Sequence, residues 1–211
     1  MFAYRFFARG GLGAVNQFIW PLPEGSIPGA WVGPQADTTT LGVYAQRLSD
    51  LPYWVHDELY RVELGGGVQT LSLGVLANEM RLVERVGGWN ESLRRDFGQS
   101  CVDRLRRCAA NSHDERGEPI IARCLTECDV RELPQVLAAN DMTGRSTVGN
   151  LLMQYIIDAV NVLNAGLTAS VAHVARVALS ESPQLAAKHN EQLAQSQWLQ
   201  HRLGLPSDTL Q

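Results

Sequence analysis

Apolar positions follow two rhythms along this chain. Up to about residue 88 they come in short, often alternating bursts cut by glycine and proline; beyond it they recur at helical spacing. The aromatic run of residues 2–7 reads as a first strand, ended by Arg9-Gly10-Gly11-Leu12-Gly13. Pro21, Pro23, Pro28 and Pro34, with Gly25, Gly29 and Gly33, predict a long loop that Trp20 and Trp31 pin to the core. Residues 41–45 predict a second strand. Ser49-Asp50-Leu51-Pro52 reads as a helix start, with Ser49 or Asp50 as its cap and Pro52 in the first turn. Residues 59–64 alternate as a half-buried strand and stop at Gly65-Gly66-Gly67; residues 81–86 alternate again and stop at Gly87-Gly88.

The second half predicts helices. Asn90 caps one running to about Ala110, with Leu93, Phe97, Cys101, Leu105 and Cys108 on one face. Residues 111–119 read as a polar loop, and residues 119–125 fit either a strand or the start of a short helix. A helix is expected over 130–139, and a long apolar one over 147–179, broken near Gly166. The last, over 183–203, would bury Leu185, Leu193, Trp198, Leu199 and Leu203 before stopping at Gly204 and Pro206. The expected fold class is therefore α+β: a small split antiparallel β region over residues 1–89, followed by a mostly helical region over 90–211.

Composition narrows the function classes. With 45% apolar residues in 211, a core can form, and a net charge of −4 offers no general attraction to nucleic acid or anionic membrane. The weakly charged run from Ser146 to Ala175 is interrupted by Asn150, Gln154, Asp158, Asn161 and Asn164, which suits a buried helix rather than a membrane span. The start of the chain lacks the pattern of a secretory leader, so a cytoplasmic location with reduced thiols at Cys101, Cys108, Cys124 and Cys128 is expected. Cys108, His113, Cys124 and Cys128 include a Cys-x3-Cys pair but no Cys-x2-Cys knuckle. They read as buried thiols, and no metal is expected. The glycines at 10–13 lack the following helix and GK[ST] of a phosphate cradle, and His56-Asp57-Glu58 reads as a solvated helix end.

One resemblance adds to this. Tyr4-Arg5-Phe6, Gly42-Val43-Tyr44-Ala45, Leu51-Pro52-Tyr53-Trp54, Leu59–Leu64 and Met80–Trp89 follow one another in the order and spacing of the ADP-ribosyltransferase fold. The region from about 3 to 90 resembles most the small bacterial branch that modifies rifamycin antibiotics. The chain also resembles a group of bacterial proteins that share the Tyr-Arg-Phe-Phe start, the Leu-Pro-x-Trp segment and the ending Trp198-Leu199-Gln200-His201-Arg202-Leu203-Gly204-Leu205, a likeness that implies no activity. The first resemblance implies a cleft for NAD. Arg5 would hydrogen-bond a ribose or phosphate, in place of the histidine of the rifamycin branch. Tyr44 would stack on nicotinamide, with Tyr53 and Trp54 completing the cofactor-binding set. A carboxylate must stabilise the developing cationic sugar. Residues 65–78, where that branch carries its aspartate, contain no acid. Glu79 is the first carboxylate beyond, and Glu118, beside Asp114 and Glu115, is the second candidate.

Two functions follow as expectations. One is NAD-dependent transfer of ADP-ribose to a small-molecule or protein acceptor. The other is a non-catalytic binding or scaffolding protein that docks a partner, or forms a homo-oligomer, through its apolar C-terminal helices.

Overall fold

A computed structural model describes residues 1–13, 17–36, 41–115, 119–129, 132, 135–136, 147–181 and 190–206. The fold class is α+β. The chain divides into two compact units: Met1–Arg94 with Ser196–Gln211, which is β-rich, and Arg95–Gln195, which is helical.

The β-rich unit holds β1 (Phe2–Phe7), β2 (Val43–Ala45), β3 (Glu58–Leu71) and β4 (Gly74–Arg85). They form one antiparallel sheet in the order β1-β3-β4-β2, instead of the split β region expected from the sequence. The sheet curls until its edges meet: Tyr4 N–H donates to the Gln46 carbonyl at 3.0 Å, and Gln46 N–H returns a bond to Tyr4 at 2.7 Å. Such a pairing joins segments far apart in the chain, and no local pattern announces it.

β1 is buried from Ala3 to Phe7 because both faces of the strand are covered. Ala3 and Phe7 enter a core with Trp20, Val43, Val62 and Met80, while Phe6 on the other face meets Trp89 edge-on at 5.4 Å. Each large side chain buried this way stabilises the fold by about 1.5–3 kcal/mol. Trp20 pins its loop as expected, edge-on to Phe7 at 5.8 Å. Trp31 instead stays on the surface, 40% exposed, with the Arg81 guanidinium 4.6 Å above its ring. The loop main chain joins β4 through a reciprocal Val32–Met80 pair at 2.9 Å.

The triple glycine does not end β3. The strand runs through it as an irregularity between Gly65 and Val68, with Gly66 at φ 69°, a conformation glycine reaches without steric cost. The hairpin closes between Leu71 and Gly74. Its turn is tied down from outside: the Tyr44 hydroxyl donates to the Leu73 carbonyl, and Arg47 donates to the Ser72 carbonyl at 2.9 Å.

The helix read around Pro52 is a 3-10 helix, Leu48–Tyr53, whose cap position is Arg47 with no side-chain cap bond. Asp50 is therefore inside it, not at its start. Its carboxylate takes Arg47 Nε at 2.6 Å and Nη2 at 3.2 Å.

Helices follow as α1 (Glu91–Glu115), α2 (Pro119–Glu127), α3 (Thr147–Asn164), α4 (Thr168–Glu181) and α5 (Glu191–Leu203). Asn90 caps α1, its Oδ1 accepting the Leu93 N–H at 3.0 Å. α1 runs on to Glu115, into the segment expected as a polar loop, and the segment left open at 119–125 is helical. The helix expected over 130–139 lies almost wholly outside the described residues.

The break at Gly166 is a Schellman turn: Gly166, at φ 75°, donates to Leu163, and Leu167 donates back to Val162. Gly204 ends α5 in the same way, with bonds to His201 and from Leu205 to Gln200. The face of α5 read as buried is so only in part. Leu199 is buried as expected and Trp198 and Leu203 are half-buried, but Leu193 is 51% exposed, and Glu191, Gln195 and Ser196 are buried instead; Leu185 lies outside the described residues. In the helical unit, α3 and α4 bury Ile156, Val160, Val171 and Ala175.

Candidate functional site

Alternation along β1 puts Arg5 on the same face as Ala3 and Phe7, the face that turns into the core. Arg5 is only 8% exposed. Its guanidinium carbon lies 5.0 Å from the Trp20 ring centre and 5.3 Å from that of Phe7. Nη1 donates to the Tyr44 carbonyl at 2.6 Å. Curling of the sheet thus brings the first two nominated residues together, through the backbone of Tyr44.

The Tyr44 ring is half-buried and points away toward the hairpin turn. Trp54, just past the 3-10 helix, lies against it at 5.0 Å with the planes inclined by 51°. Tyr53, beside it in the chain, is 39% exposed and Trp54 is 36% exposed. The backbone under both is fixed, since Leu48, Asp50, Leu51 and Pro52 are buried. Burial raises the Tyr44 phenol above its ordinary pKa, and Asp50 adds to that; Arg47, the bond with Trp54, and Arg5 oppose it.

Asp50 is the acid that sequence reasoning passed over. It is 2% exposed and close enough to Tyr44 for its charge to be felt there. A local signal existed in Arg47-x-x-Asp50, an i,i+3 pair between two nominated segments, but a capping role explained the residue first. Glu79 is exposed and sits across from Gly65, whereas Tyr44 pairs with Leu76. The two positions on β4 are three residues apart, about 10 Å along a strand. Glu118 lies outside the described residues.

The His56–Glu58 segment is not a solvated helix end. Glu58 opens β3, is 8% exposed, and accepts the Gly11 N–H at 3.1 Å and the Tyr60 hydroxyl at 3.3 Å while pairing with Arg85 at 3.1 Å. Burial, then the Glu58 charge, raises the Tyr60 phenol. Arg94 donates to both the carbonyl and the carboxylate of Asp57 at 2.8 Å. These groups tie the start of β3 to the segments around it.

The helical unit contains a buried polar network that periodicity did not predict. Glu191, 4% exposed, takes Arg104 Nη2 at 2.8 Å, Arg104 Nε at 3.0 Å and Gln195 Nε2 at 2.8 Å. Gln195 also bonds Arg176 at 2.7 Å and the Ala172 carbonyl at 3.0 Å. Burial pushes the Cys101 thiol, beside Arg104, up to about 12. Among the described residues, no group of three or more His, Cys, Asp or Glu side chains is arranged to hold a metal ion, and no helix is long and apolar enough to cross a membrane.

Comparison with protein-family models, with curated proteins and with solved structures finds no match to this chain.

Proposed function

We propose that this chain is a non-catalytic binding protein whose β-rich unit docks a second copy of the chain on the surface formed by Tyr44, Tyr53 and Trp54. One observation supports this most: two adjacent large aromatics are each more than a third exposed on a backbone whose neighbouring residues are buried. Aromatic side chains dominate interface energetics, and a pre-ordered pair costs little entropy to engage. The proposal puts the homo-oligomer contact in this unit rather than on the C-terminal helices, where Leu152, Ile156, Val160, Val171 and Ala175 are buried.

The experiment is solution mass against concentration for the wild type and for Tyr53→Ser/Trp54→Ser. A dimer that the double variant dissociates is the expected result. A wild type that stays monomeric at high micromolar concentration, or a variant that dimerises equally well, overturns the proposal.

A second reading is favoured by the meeting of Arg5 and Tyr44 at 2.6 Å beside a buried acid. On this reading the chain transfers ADP-ribose from NAD to a small-molecule or protein acceptor, with Asp50 supplying the carboxylate. The enclosure of the Arg5 guanidinium between rings weighs against it, because a phosphate has to reach that group. NAD at a hundredfold its Kd would stabilise a binding protein by about 2.7 kcal/mol. Absence of any thermal shift, together with no nicotinamide release, removes this reading and leaves the first standing.

A further inference from the structure

α2 ends on two cysteines four positions apart. Cys128 follows the last helical residue, and its N–H still donates to the Cys124 carbonyl at 3.2 Å. The two sulfurs lie 3.4 Å apart, close enough for one S–H to donate to the other. Both side chains are half-buried, so reagents reach them, whereas Cys101 is fully enclosed.

A disulfide needs Cα atoms about 4.4–6.8 Å apart and sulfurs about 2.05 Å apart. Residues four apart on an α-helix have Cα atoms about 6 Å apart, so closure here requires mainly rotation of side chains. Cys128 lies just past the end of α2, so the backbone there can adjust without breaking a turn in mid-helix.

We propose that Cys124 and Cys128 form a reversible dithiol–disulfide site, oxidised by small disulfides of the glutathione class. One cysteine thiolate attacks a sulfur of the oxidised tripeptide. An S–S bond in the reagent breaks, a mixed disulfide forms, and one glutathione thiol leaves. The second cysteine then attacks the protein sulfur of that mixed disulfide and expels the second glutathione thiol. Two electrons and two protons pass from the cysteine pair to the reagent, which is reduced.

Arg106 connects the pair to its surroundings. It is 8% exposed; Nε holds the Leu125 carbonyl at 2.7 Å and Nη2 holds the Cys128 carbonyl at 2.6 Å. The same arginine lines a cavity of about 360 Å³ with Asp103, Arg107, Leu125 and Thr126. Closing the disulfide therefore locks the helix end that forms one wall of this cavity. Burial, then the Cys128 thiol, pushes the Cys124 thiol up to about 11, while Arg106 pulls it down. Cys124 is thus a thiol at neutral pH and can supply the shared S–H.

The full chain, reduced and then equilibrated with oxidised glutathione, is denatured, alkylated and digested after arginine. The expected product is the peptide Cys124–Arg131 carrying no alkyl group and lighter by two hydrogens, with Cys101 and Cys108 alkylated. Cys124→Ser and Cys128→Ser should each stop at the mixed disulfide. Wild-type protein that accumulates mixed disulfide without the internal link, or leaves the peptide fully alkylated, overturns the proposal. Phenylarsine oxide, which bridges paired thiols, gives an independent readout. Retention by the wild type and loss in either serine variant is expected, and equal retention by all three overturns it.

Discussion

Glu191→Gln is the sharpest probe of the helical unit, because it changes charge while keeping shape. The native carboxylate receives Arg104 through Nε at 3.0 Å and Nη2 at 2.8 Å, and is 4% exposed. Burial works against the Arg104 cation, but the bond and charge of Glu191, joined by those of Cys101, together outweigh it, so the guanidinium stays charged. An amide offers one oxygen instead of two and can turn an N–H donor toward that cation. Two charge-assisted hydrogen bonds at about 1.5–3 kcal/mol each give a loss of roughly 3–6 kcal/mol. Orphaning one member of a buried ion pair independently gives about 3–5 kcal/mol. Against a total stability of about 5–15 kcal/mol this is a large fraction.

The assay is urea unfolding followed by far-UV circular dichroism, which reads the helices. With m about 2–3 kcal/mol/M, the midpoint should fall by roughly 1–3 M. Trp20, Trp31, Trp54, Trp89 and Trp198 all belong to the β-rich unit, so fluorescence follows the other unit separately in the same samples. The double variant Arg104→Met/Glu191→Leu removes both charges and should recover to within about 1 kcal/mol of wild type, because the cost resides in the uncompensated cation. A Glu191→Gln protein within about 1 kcal/mol of wild type would refute the reasoning.

Phe7→Ala, at a side chain with 0% exposure, should cost about 3–5 kcal/mol, read by tryptophan fluorescence during unfolding. Gly74→Ala forces a side chain onto φ +152° with its Cβ 2.5 Å from the Ala45 carbonyl, and should destabilise the hairpin by about 1–3 kcal/mol in the same assay. Asp50→Ala removes the second-largest influence raising the Tyr44 phenol, so ultraviolet titration should find that group ionising at lower pH than in wild type. The Cys101 thiol rises from 9.0 to about 12 on folding, so its stabilising contribution is complete below pH 9 and is lost between pH 9 and about 12. Cys101→Ala should flatten the fall of the urea midpoint across that range.

Local chemistry was legible wherever a residue's role depends on its neighbours in the chain. Asn90 before an apolar helical pattern, Gly166 and Gly204 at positions requiring positive φ, and the aromatic run at Phe2–Phe7 each announced a cap, a stop or a strand. The same local reasoning misplaced Asp50 and Leu193. A capping residue and a salt-bridged one look alike in sequence, and the α5 pattern gave no sign that a buried arginine would draw Glu191 and Gln195 inward in preference to leucine.

What this sequence determined by itself was the α+β class, the order of most elements and the places where helices end, because propensity, periodicity and backbone sterics act over a few residues. Only the tertiary structure decided that four strands make one curled sheet, that Arg5 is enclosed while Tyr53 and Trp54 are partly exposed, and that the charge of buried Asp50 bears on Tyr44. Those outcomes depend on which distant segments meet, as Tyr4 meets Gln46 and Arg104 meets Glu191, and such meetings are settled by the packing of the whole core.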